Sequence, residues 1–422
     1  TIIHNYIIMA NTIKLGTNGN WATKEGSLLA YNDENNNFKP LPFTTTRASS
    51  ATVVNKQGLI ETVGSGIPRI DFSDDAKGAL KLEPQRTNLV TYSEDFSQSA
   101  WTKSGTSVVN GFISPDGTNN AFKLVEDTST LRHSTNTLNT VVGEHTLSVF
   151  AKKGEKDILQ LSLGGASITP ASTYSNFDLT NGTITAGVNT SSDIEEFANG
   201  WYRCSITSSV NSGVLNSGCV VANSTTMGRN GTYQGDGTSG VYIYGAQLEQ
   251  GSYATSYIPT QGTTQTRVAD TATGSGNSTV INSSEGVLYA EIAAFNESGP
   301  STGAISLNDG GNTNRVKIEL DAGQIKVRID TTAGQVASLN YTIAITNYLK
   351  IAVKWKTNDY ALWVNGIEGP TDTSGASFVA NTLSKLSFNR GDGNEFFKGK
   401  TKSLQVYNTA LSDAELTTLT TI

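Results

Sequence analysis

The sequence predicts an all-β protein that consists of an N-terminal arm, a connector and two successive antiparallel β-sandwiches. Its apolar runs are short and alternate with Thr, Ser and Lys, which is the period-two pattern of half-buried strands. Turn residues separate the runs at intervals of roughly ten residues, as in all-β sandwiches, and the chain contains 42 glycines. Helix-forming runs are rare. With 422 residues, of which 36% are hydrophobic and 8% aromatic, the chain is long enough to fill two or three cores.

The arm and the connector are predicted for the first quarter of the chain. Residues 1–43 are rich in Asn and Gly and contain few strand signals, so this arm has too little apolar content to fold without partner chains. A connector is predicted for residues 44–91. Within it, Thr52–Val54 and Leu59–Thr62 are expected to form two short strands across an Asn-Lys-Gln-Gly turn.

The first sandwich is predicted for residues 92–260, where short strands alternate with turns in the manner of a jelly roll. The alternation is cleanest in Thr146–Lys152 and Gly240–Leu248, where Leu147, Val149 and Ala151, and Val241, Ile243 and Gly245, are expected to face one side. Gln261–Ser284 is rich in Thr, Gly and Ser and predicts an interdomain linker.

The second sandwich is predicted for residues 285–422. Tyr348–Gly366 reads YLKIAVKWKTNDYALWVNG and predicts an amphipathic hairpin. Ser412–Leu419 predicts a short helix, because Ser412 and Glu415 have the spacing of a capping box.

The run Leu80–Gly105, LKLEPQRTNLVTYSEDFSQSAWTKSG, resembles a junction found in many tailed-bacteriophage appendage proteins, in which a Leu-x-x-Glu-Pro-x-Arg-Thr-Asn-Leu segment enters a β-sandwich. Thr44–Ile70 and Gly245–Asp270 resemble the segments before this junction and at the close of that sandwich. The resemblance covers about residues 44–270. It implies a fibre or spike on the virion surface that assembles in the bacterial host cytoplasm. It also implies an arm that docks onto other virion proteins and a homo-oligomer, with a trimer favoured.

The hairpin Tyr348–Gly366 and the segment Gly399–Leu416, GKTKSLQVYNTALSDAEL, resemble the laminin-G/concanavalin-like lectin fold. The resemblance implies a second sandwich of that type. Such sandwiches also serve as spacers, so sugar binding does not follow from the fold itself.

Composition argues against several other classes of function. The formal net charge is −7 and no basic run is present, so no nucleic-acid partner is expected. The longest apolar run falls far short of the ~20 residues of a membrane-spanning helix, so membrane insertion is not expected. Cys204 and Cys219 are too few for a disulfide scaffold and lack the spacing of a metal site. They flank a turn and are expected to be free, buried thiols, as is usual in a reducing cytoplasm.

No enzyme is predicted, because the catalytic patterns fail on context. Gly299–Gly303 matches G-x-S-x-G but lies in a polar loop between two strands rather than between a strand and a helix. Gly235–Gly240 matches G-x-G-x-x-G but precedes a strand. The neighbouring carboxylates Glu94–Asp95 and Glu195–Glu196 point to opposite faces of a strand unless a loop bends them, so they are expected on a solvated surface.

Three tryptophans are candidate glycan-binding residues, because a flat ring stacks on the apolar face of a pyranose. Trp363 has the opposite strand parity to Leu362 and Val364, which predicts an exposed ring. Trp101 and Trp201 flank strand edges in the first sandwich. A core or interface role is the alternative for each ring.

Oxygen-rich loop residues of the second sandwich are candidate Ca²⁺ ligands: Asp309, Asn312, Asp392 and Asn394. No other cofactor is predicted. Arg390–Asp392 spells an adhesion tripeptide, but in a Gly-rich hairpin this is the composition of a turn.

The function predicted from the sequence is a structural virion appendage of a tailed phage that mediates adhesion to host-surface glycan. The alternative is a bacterial surface or secreted lectin-like adhesin. A polysaccharide depolymerase is less favoured, because it requires a carboxylate pair across a cleft.

Overall fold

The computed structural model describes residues 11–24, 27–32, 39–165, 167–295 and 303–422. Within these ranges the chain is all-β apart from one α-helix and two short 3-10 turns, Thr17–Gly19 and Ala198–Gly200. The predicted fold class is therefore confirmed. Residues 1–10 of the predicted arm and residues 299–302 of the G-x-S-x-G loop lie outside the described residues.

The strands follow one another closely along the chain. The first group is β1 (Asn11–Leu15), β2 (Ala22–Lys24), β3 (Ser27–Asn32), β4 (Lys39–Pro42), β5 (Thr44–Thr46), β6 (Ala51–Val54), β7 (Ile60–Val63), β8 (Ile70–Asp71), β9 (Ala79–Leu82) and β10 (Arg86–Asn88). The second group is β11 (Thr102–Ser104), β12 (Thr106–Phe112), β13 (Ala121–Glu126), β14 (Ser134–Thr140), β15 (Gly143–Lys153), β16 (Ile158–Gly164), β17 (Ser167–Thr169), β18 (Tyr174–Asp178), β19 (Thr183–Val188), β20 (Ser191–Phe197), β21 (Trp201–Ser212), β22 (Val214–Ala222), β23 (Gly240–Gln250) and β24 (Gln265–Arg267). The last group is β25 (Thr271–Thr273), β26 (Glu285–Ala294), β27 (Ala304–Asn308), β28 (Arg315–Asp321), β29 (Gln324–Thr331), β30 (Gly334–Thr342), β31 (Leu349–Lys356), β32 (Tyr360–Val364), β33 (Ile367–Asp372), β34 (Lys385–Ser387) and β35 (Gly399–Tyr407), followed by the helix α1 (Asp413–Thr420).

The chain divides into two compact units, each of which collects segments that are distant in the sequence. The central unit comprises Ser49–Val63 and Gln85–Val268. The C-terminal unit comprises Gly64–Pro84, Ala269–Ile422 and the described residues up to Ala48. This division differs from the predicted order of arm, connector, sandwich, linker and sandwich. Strand pairing explains the difference, because a strand joins the sheet that offers it a partner and a core, wherever it lies in the sequence.

The central unit is a sandwich of two antiparallel sheets. One sheet has the order β11-β14-β22-β16-β18-β19, and the other has the order β12-β13-β23-β15-β21-β17 with β20 also paired to β21. Leu147, Val149 and Ala151 of β15 point into the core as predicted. In β23 the predicted alternation breaks at Gly245, which adopts a φ of +59° at a register shift against β15. The bulge turns Ala246, instead of Gly245, into the core.

The predicted connector hairpin forms as β6 and β7, and it packs on the outer face of the β15-containing sheet. Ile60 contacts a buried aromatic cluster there that includes Phe150, Trp201 and Tyr257. Thr52 Oγ1 donates a hydrogen bond of 2.6 Å to the carbonyl oxygen of Tyr257. The hairpin therefore belongs to the central unit and covers apolar surface that the sheet would otherwise expose.

The C-terminal unit contains an eleven-stranded sheet, with the central path β2-β3-β1-β35-β26-β31-β32-β33, and a five-stranded sheet, β30-β29-β28-β27-β34. Apolar residues of both sheets share one core, among them Leu288, Ile318, Val327 and Ile351. Helix α1 packs on the other face of the large sheet through Leu416.

The described part of the predicted arm is an integral part of this unit. Strand β1 pairs with β35, and the apolar residues of the arm are buried in the core: Ile13, Leu15, Leu28, Ala30, Leu41 and Phe43. The expectation that the arm lacks the apolar content to fold without partners is therefore wrong for these residues. Its few apolar side chains suffice because they share the core with residues of β26 and β35, such as Leu288 and Leu404.

The predicted linker is also structured. β24 pairs with β10 in the central unit, β25 pairs with β5 in the C-terminal unit, and Val280 and Ile281 lie in the C-terminal core. The boundary between the units falls at Val268 and Ala269 rather than across the whole Thr- and Gly-rich segment.

A buried ion cluster lies in the C-terminal unit. The Arg47 Nη1–Asp270 Oδ1 distance is 2.9 Å and the Arg69 Nη1–Glu83 Oε2 distance is 2.6 Å, and Arg69 also pairs with Asp270. Burial alone would lower the pKa of Arg69, but the charges of Glu83 and Asp270 outweigh it and raise that pKa. Each of these residues falls within the segments that resemble phage appendages, which gives that sequence pattern a structural role.

Candidate functional site

Trp363 is buried, with 6% of its surface exposed. The predicted parity is correct, because Trp363 faces away from the main core that holds Leu362 and Val364. The predicted exposure is wrong, because α1 and the preceding turn cover this face with Leu411 and Leu416. The apolar residues of the predicted helix, which need a partner surface, were the signal for this.

Trp101 and Trp201 are buried as well, with 2% and 1% of their surfaces exposed. The Trp101 ring packs on Phe96 with ring centroids 4.8 Å apart, and its Nε1 donates to the Tyr92 carbonyl oxygen at 2.8 Å. Trp201 lies in the aromatic cluster beneath the β6–β7 hairpin. None of the three candidate tryptophans presents a ring face to a ligand.

The two carboxylates among the proposed calcium ligands are bonded to protein groups. Asp392 accepts hydrogen bonds from the Arg390 guanidinium, which lower its pKa, and the Arg390 Nη2–Asp392 Oδ2 distance is 2.6 Å. Asp309 accepts hydrogen bonds of 2.8 Å from Gly311 N and from Asn314 Nδ2. Asn312 and Asn394 belong to the same loops. In the described part of the chain, no group of three or more His, Cys, Asp or Glu side chains is arranged to hold a metal ion, so calcium binding stays a prediction.

The Arg390–Asp392 tripeptide is closed on itself by this bidentate pair, and Arg390 Nη1 also contacts Glu395 at 2.5 Å. The predicted turn role fits this geometry.

Cys204 and Cys219 are free and buried, on facing sheets of the central unit. Burial raises the pKa of Cys219 to about 12, which keeps the thiol protonated and unreactive.

The central unit holds a polar cleft of about 480 Å³. It is lined by the following residues: Tyr92, Glu94, Asp95, Ser97, Asn110, Asn119, Asn120, Phe122, Thr260 and Gln261. Four of these belong to the Tyr92–Ser97 segment, YSEDFS, of the phage-like junction. The others come from β12, from the loop before β13 and the start of β13, and from the segment that follows β23.

Local hydrogen bonds explain why the YSEDFS segment bends into the cleft wall. Asp95 Oδ1 accepts bonds from Ser97 N at 3.0 Å and Ser97 Oγ at 2.5 Å, which closes a tight Asx turn. Ser93 N bonds Thr260 Oγ1 at 2.9 Å, and Phe96 packs into the core against Trp101 and Phe122. This turn places Glu94 and Asp95 among the residues that line the cleft. Both oxygens of Asp95 accept local bonds, Oδ1 from Ser97 and Oδ2 from Gln98 Nε2 at 2.7 Å, so Glu94 is the carboxylate with an oxygen left for a ligand.

Glu94 is half-buried and tied to two tyrosines. Its Oε1 accepts bonds from Tyr244 Oη at 2.9 Å and from Tyr257 Oη at 3.2 Å. Tyr244 Oη also lies 3.0 Å from Asp116 Oδ2. Burial raises the pKa of Glu94 although the tyrosine bonds oppose that shift. Burial also disfavours ionisation of Asp116, but bonds from Ser114 and Thr118 outweigh it and lower the pKa. Nothing in the sequence pattern pointed to Asp116, which approaches Glu94 only through folding.

One carboxylate oxygen at the cleft lacks a partner among the described residues. Asn120 adds no second acceptor, because its Oδ1 is enclosed by protein and its Nδ2 donates to Asp116 at 3.3 Å. Both tyrosine bonds reach Glu94 Oε1, which leaves Oε2 available. Asn119 and Gln261 add exposed amides. The cleft can therefore accept hydrogen bonds from a ligand that presents hydroxyl or amino donors.

Comparison with known proteins identifies the type of the second sandwich. Residues 291–417, within the C-terminal unit, match the family model described as the Concanavalin A-like lectin/glucanases superfamily. The predicted concanavalin-like sandwich is confirmed by this match. No curated protein matches the chain, and no described helix is long and apolar enough to cross a membrane.

Solved structures similar to parts of the chain include carbohydrate-binding domains. The CBM40 of the Ruminococcus gnavus IT-sialidase bound to alpha2,3 sialyllactose is 18% identical, with 35% of this chain and 93% of that chain covered and a TM-score of 0.30. Domain 4 of AbnA, a GH43 extracellular arabinanase from Geobacillus stearothermophilus, in complex with arabinotriose, is 13% identical. In that comparison 40% of this chain and 82% of that chain are covered, with a TM-score of 0.29.

Proposed function

We propose that the protein is a structural appendage of a tailed-phage virion that binds host-surface glycan without catalysing its cleavage. The glycan-binding part rests on the cleft of the central unit, which combines the unpaired Oε2 of Glu94, the exposed amides of Asn119 and Gln261 and the half-buried Tyr92 ring. Such sites bind sugars, because convergent polar groups meet the hydroxyls while a ring covers an apolar face. The lectin-type family match of the C-terminal unit and the phage-like junction support the same role.

Binding without catalysis fits the way the carboxylates are held. Asp116 Oδ1 is bonded to Ser114 Oγ, Thr118 N and Thr118 Oγ1 at 2.5–2.8 Å. It therefore serves to close a turn rather than to attack or protonate a glycosidic bond. A shallow site of this kind binds each sugar weakly, and many copies on one particle would raise the avidity by orders of magnitude.

The virion part of the proposal is tested by electron microscopy of purified particles that are labelled with antibody against this chain. Label at a fixed appendage position supports it. Label on the bacterial surface and none on particles would instead favour a bacterial lectin-like adhesin.

The glycan part is tested by titrating the full chain with polysaccharide purified from the host surface. The variant Asn119→Ala/Gln261→Ala removes two exposed lining amides and should weaken binding by about tenfold without lowering the melting temperature. Asn340→Ala, an exposed amide change on β30 of the C-terminal unit, is the matched control and should leave binding unchanged. Equal affinities of both variants and the parent chain would contradict the assignment of the cleft.

A further inference from the structure

We infer that the cleft of the central unit selects a saccharide that carries a protonated amine over its neutral or anionic counterparts. The inference rests on the proposed glycan-binding role and concerns the same cleft. It follows from the charge of the lining residues and from the kind of hydrogen-bonding atoms that the protein leaves unpaired.

The cleft is electronegative. Its lining includes the carboxylates of Glu94 and Asp95, and none of its lining residues is Lys, Arg or His. A third carboxylate, Asp116, is separated from Glu94 only by the Tyr244 hydroxyl. The cation that interacts with Asp95 is Lys103, whose Nζ donates to the carbonyl oxygens of Trp101 at 3.0 Å and of Ser97, a lining residue, at 3.4 Å. Lys103 therefore offsets part of the charge of Asp95, and the negative charge of the cleft rests mainly on Glu94 and Asp116.

The unpaired polar atom of the cleft is an acceptor. Glu94 Oε2 has no partner among the described residues, so a ligand that bonds to it must donate. A hydroxyl has a single O–H, whereas an ammonium group has three N–H donors and a charge that strengthens each bond. A carboxylated or sulfated sugar would bring like charges together in the cleft and would be rejected.

The environment of Glu94 adds to this preference. Burial raises the pKa of Glu94, which means that its charged form is poorly compensated in the free protein. A cation that binds beside it supplies that compensation. A neutral sugar does not.

The test compares three probes against the full chain by calorimetry at pH 6 and low salt: a glucosamine tetrasaccharide, the same tetrasaccharide fully N-acetylated, and sialyllactose. The glucosamine oligomer should bind about tenfold more tightly than the acetylated one, and the preference should shrink as salt screens the charges. Glu94→Gln should abolish the preference. Glu196→Gln, which removes an exposed carboxylate of β20 outside the cleft, should retain it.

Other results would contradict either the amine preference or the glycan-binding role of the cleft. Equal or tighter binding of the acetylated or sialylated probe overturns the inference and leaves the proposed function intact, whereas no binding of any probe counts against both. A preference that persists in Glu94→Gln also overturns the inference. If Glu94→Gln does not fold, a preference of the parent chain that is insensitive to salt overturns it.

Discussion

At the scale of single residues, side-chain parity could be predicted from the sequence, but the covering of each face could not. Trp363 points away from the main core as its position on the strand implies, and a helix more than forty residues further along the chain then buries it. Trp201 is buried in the same way by a hairpin from well upstream. Coverage depends on contacts between distant segments, which a local pattern does not encode.

Trp363 is therefore predicted to stabilise the fold rather than to bind sugar. Trp363→Ala should lower the free energy of unfolding of the C-terminal unit by about 3–5 kcal/mol, because it leaves a cavity beneath α1. Ile367→Ala, at a side chain 60% exposed on the neighbouring strand, should change it by less than about 0.5 kcal/mol. Denaturant titration measures both, and a Trp363→Ala protein as stable as the parent would show that α1 does not seal this face.

At the scale of elements, local sequence signals correctly predicted the start of the helix and the connector hairpin. The capping box of α1 forms, with the Glu415 carboxylate accepting a bond of 2.8 Å from Ser412 N, and the β6–β7 hairpin forms within one residue of its predicted bounds. The alternation of β23 was misassigned because Gly245 permits a bulge. The YSEDFS turn was missed because its neighbouring carboxylates were treated as members of a strand.

The turn at Arg390–Asp392 is predicted to make stability depend on acidity. Hydrogen bonds from Arg390 lower the pKa of Asp392 in the folded protein, so the contribution is present above the unfolded value, about 3.9, and is lost as the pH falls through the lower folded value. Asp392→Asn should therefore lower the melting temperature at pH 7, and the difference from the parent should shrink below about pH 4. A difference that stays constant from pH 7 to pH 2 would contradict this role.

At the scale of the whole molecule, the sequence predicted two sandwiches but not which segments build them. The arm and the linker read as polar and loose, yet β1 pairs with β35 and Ile281 enters the C-terminal core. Glu83 of the phage-like junction and Arg69 of the phage-like segment before it form the buried ion cluster rather than a ligand site. Strand pairing and burial between distant segments account for the place of the arm and linker in the C-terminal unit and for the structural role of the ion cluster.

The ion cluster is predicted to be essential for the C-terminal unit. Asp270→Asn keeps the shape of the side chain but leaves Arg47 and Arg69 with less compensating charge, and should cost about 3–5 kcal/mol of stability. Glu368→Gln, at an exposed carboxylate of β33, is the matched control and should have a small effect. Equal unfolding midpoints for the two variants would argue against a structural role for the cluster.

Saccharide binding in the cleft of the central unit can be measured by hydrogen–deuterium exchange of the full chain with and without host-surface saccharide. We expect protection in peptides that span Tyr92–Ser97, Asn119–Phe122 and Thr260–Gln261. Protection confined to the C-terminal unit, or none under saturating saccharide, would contradict it.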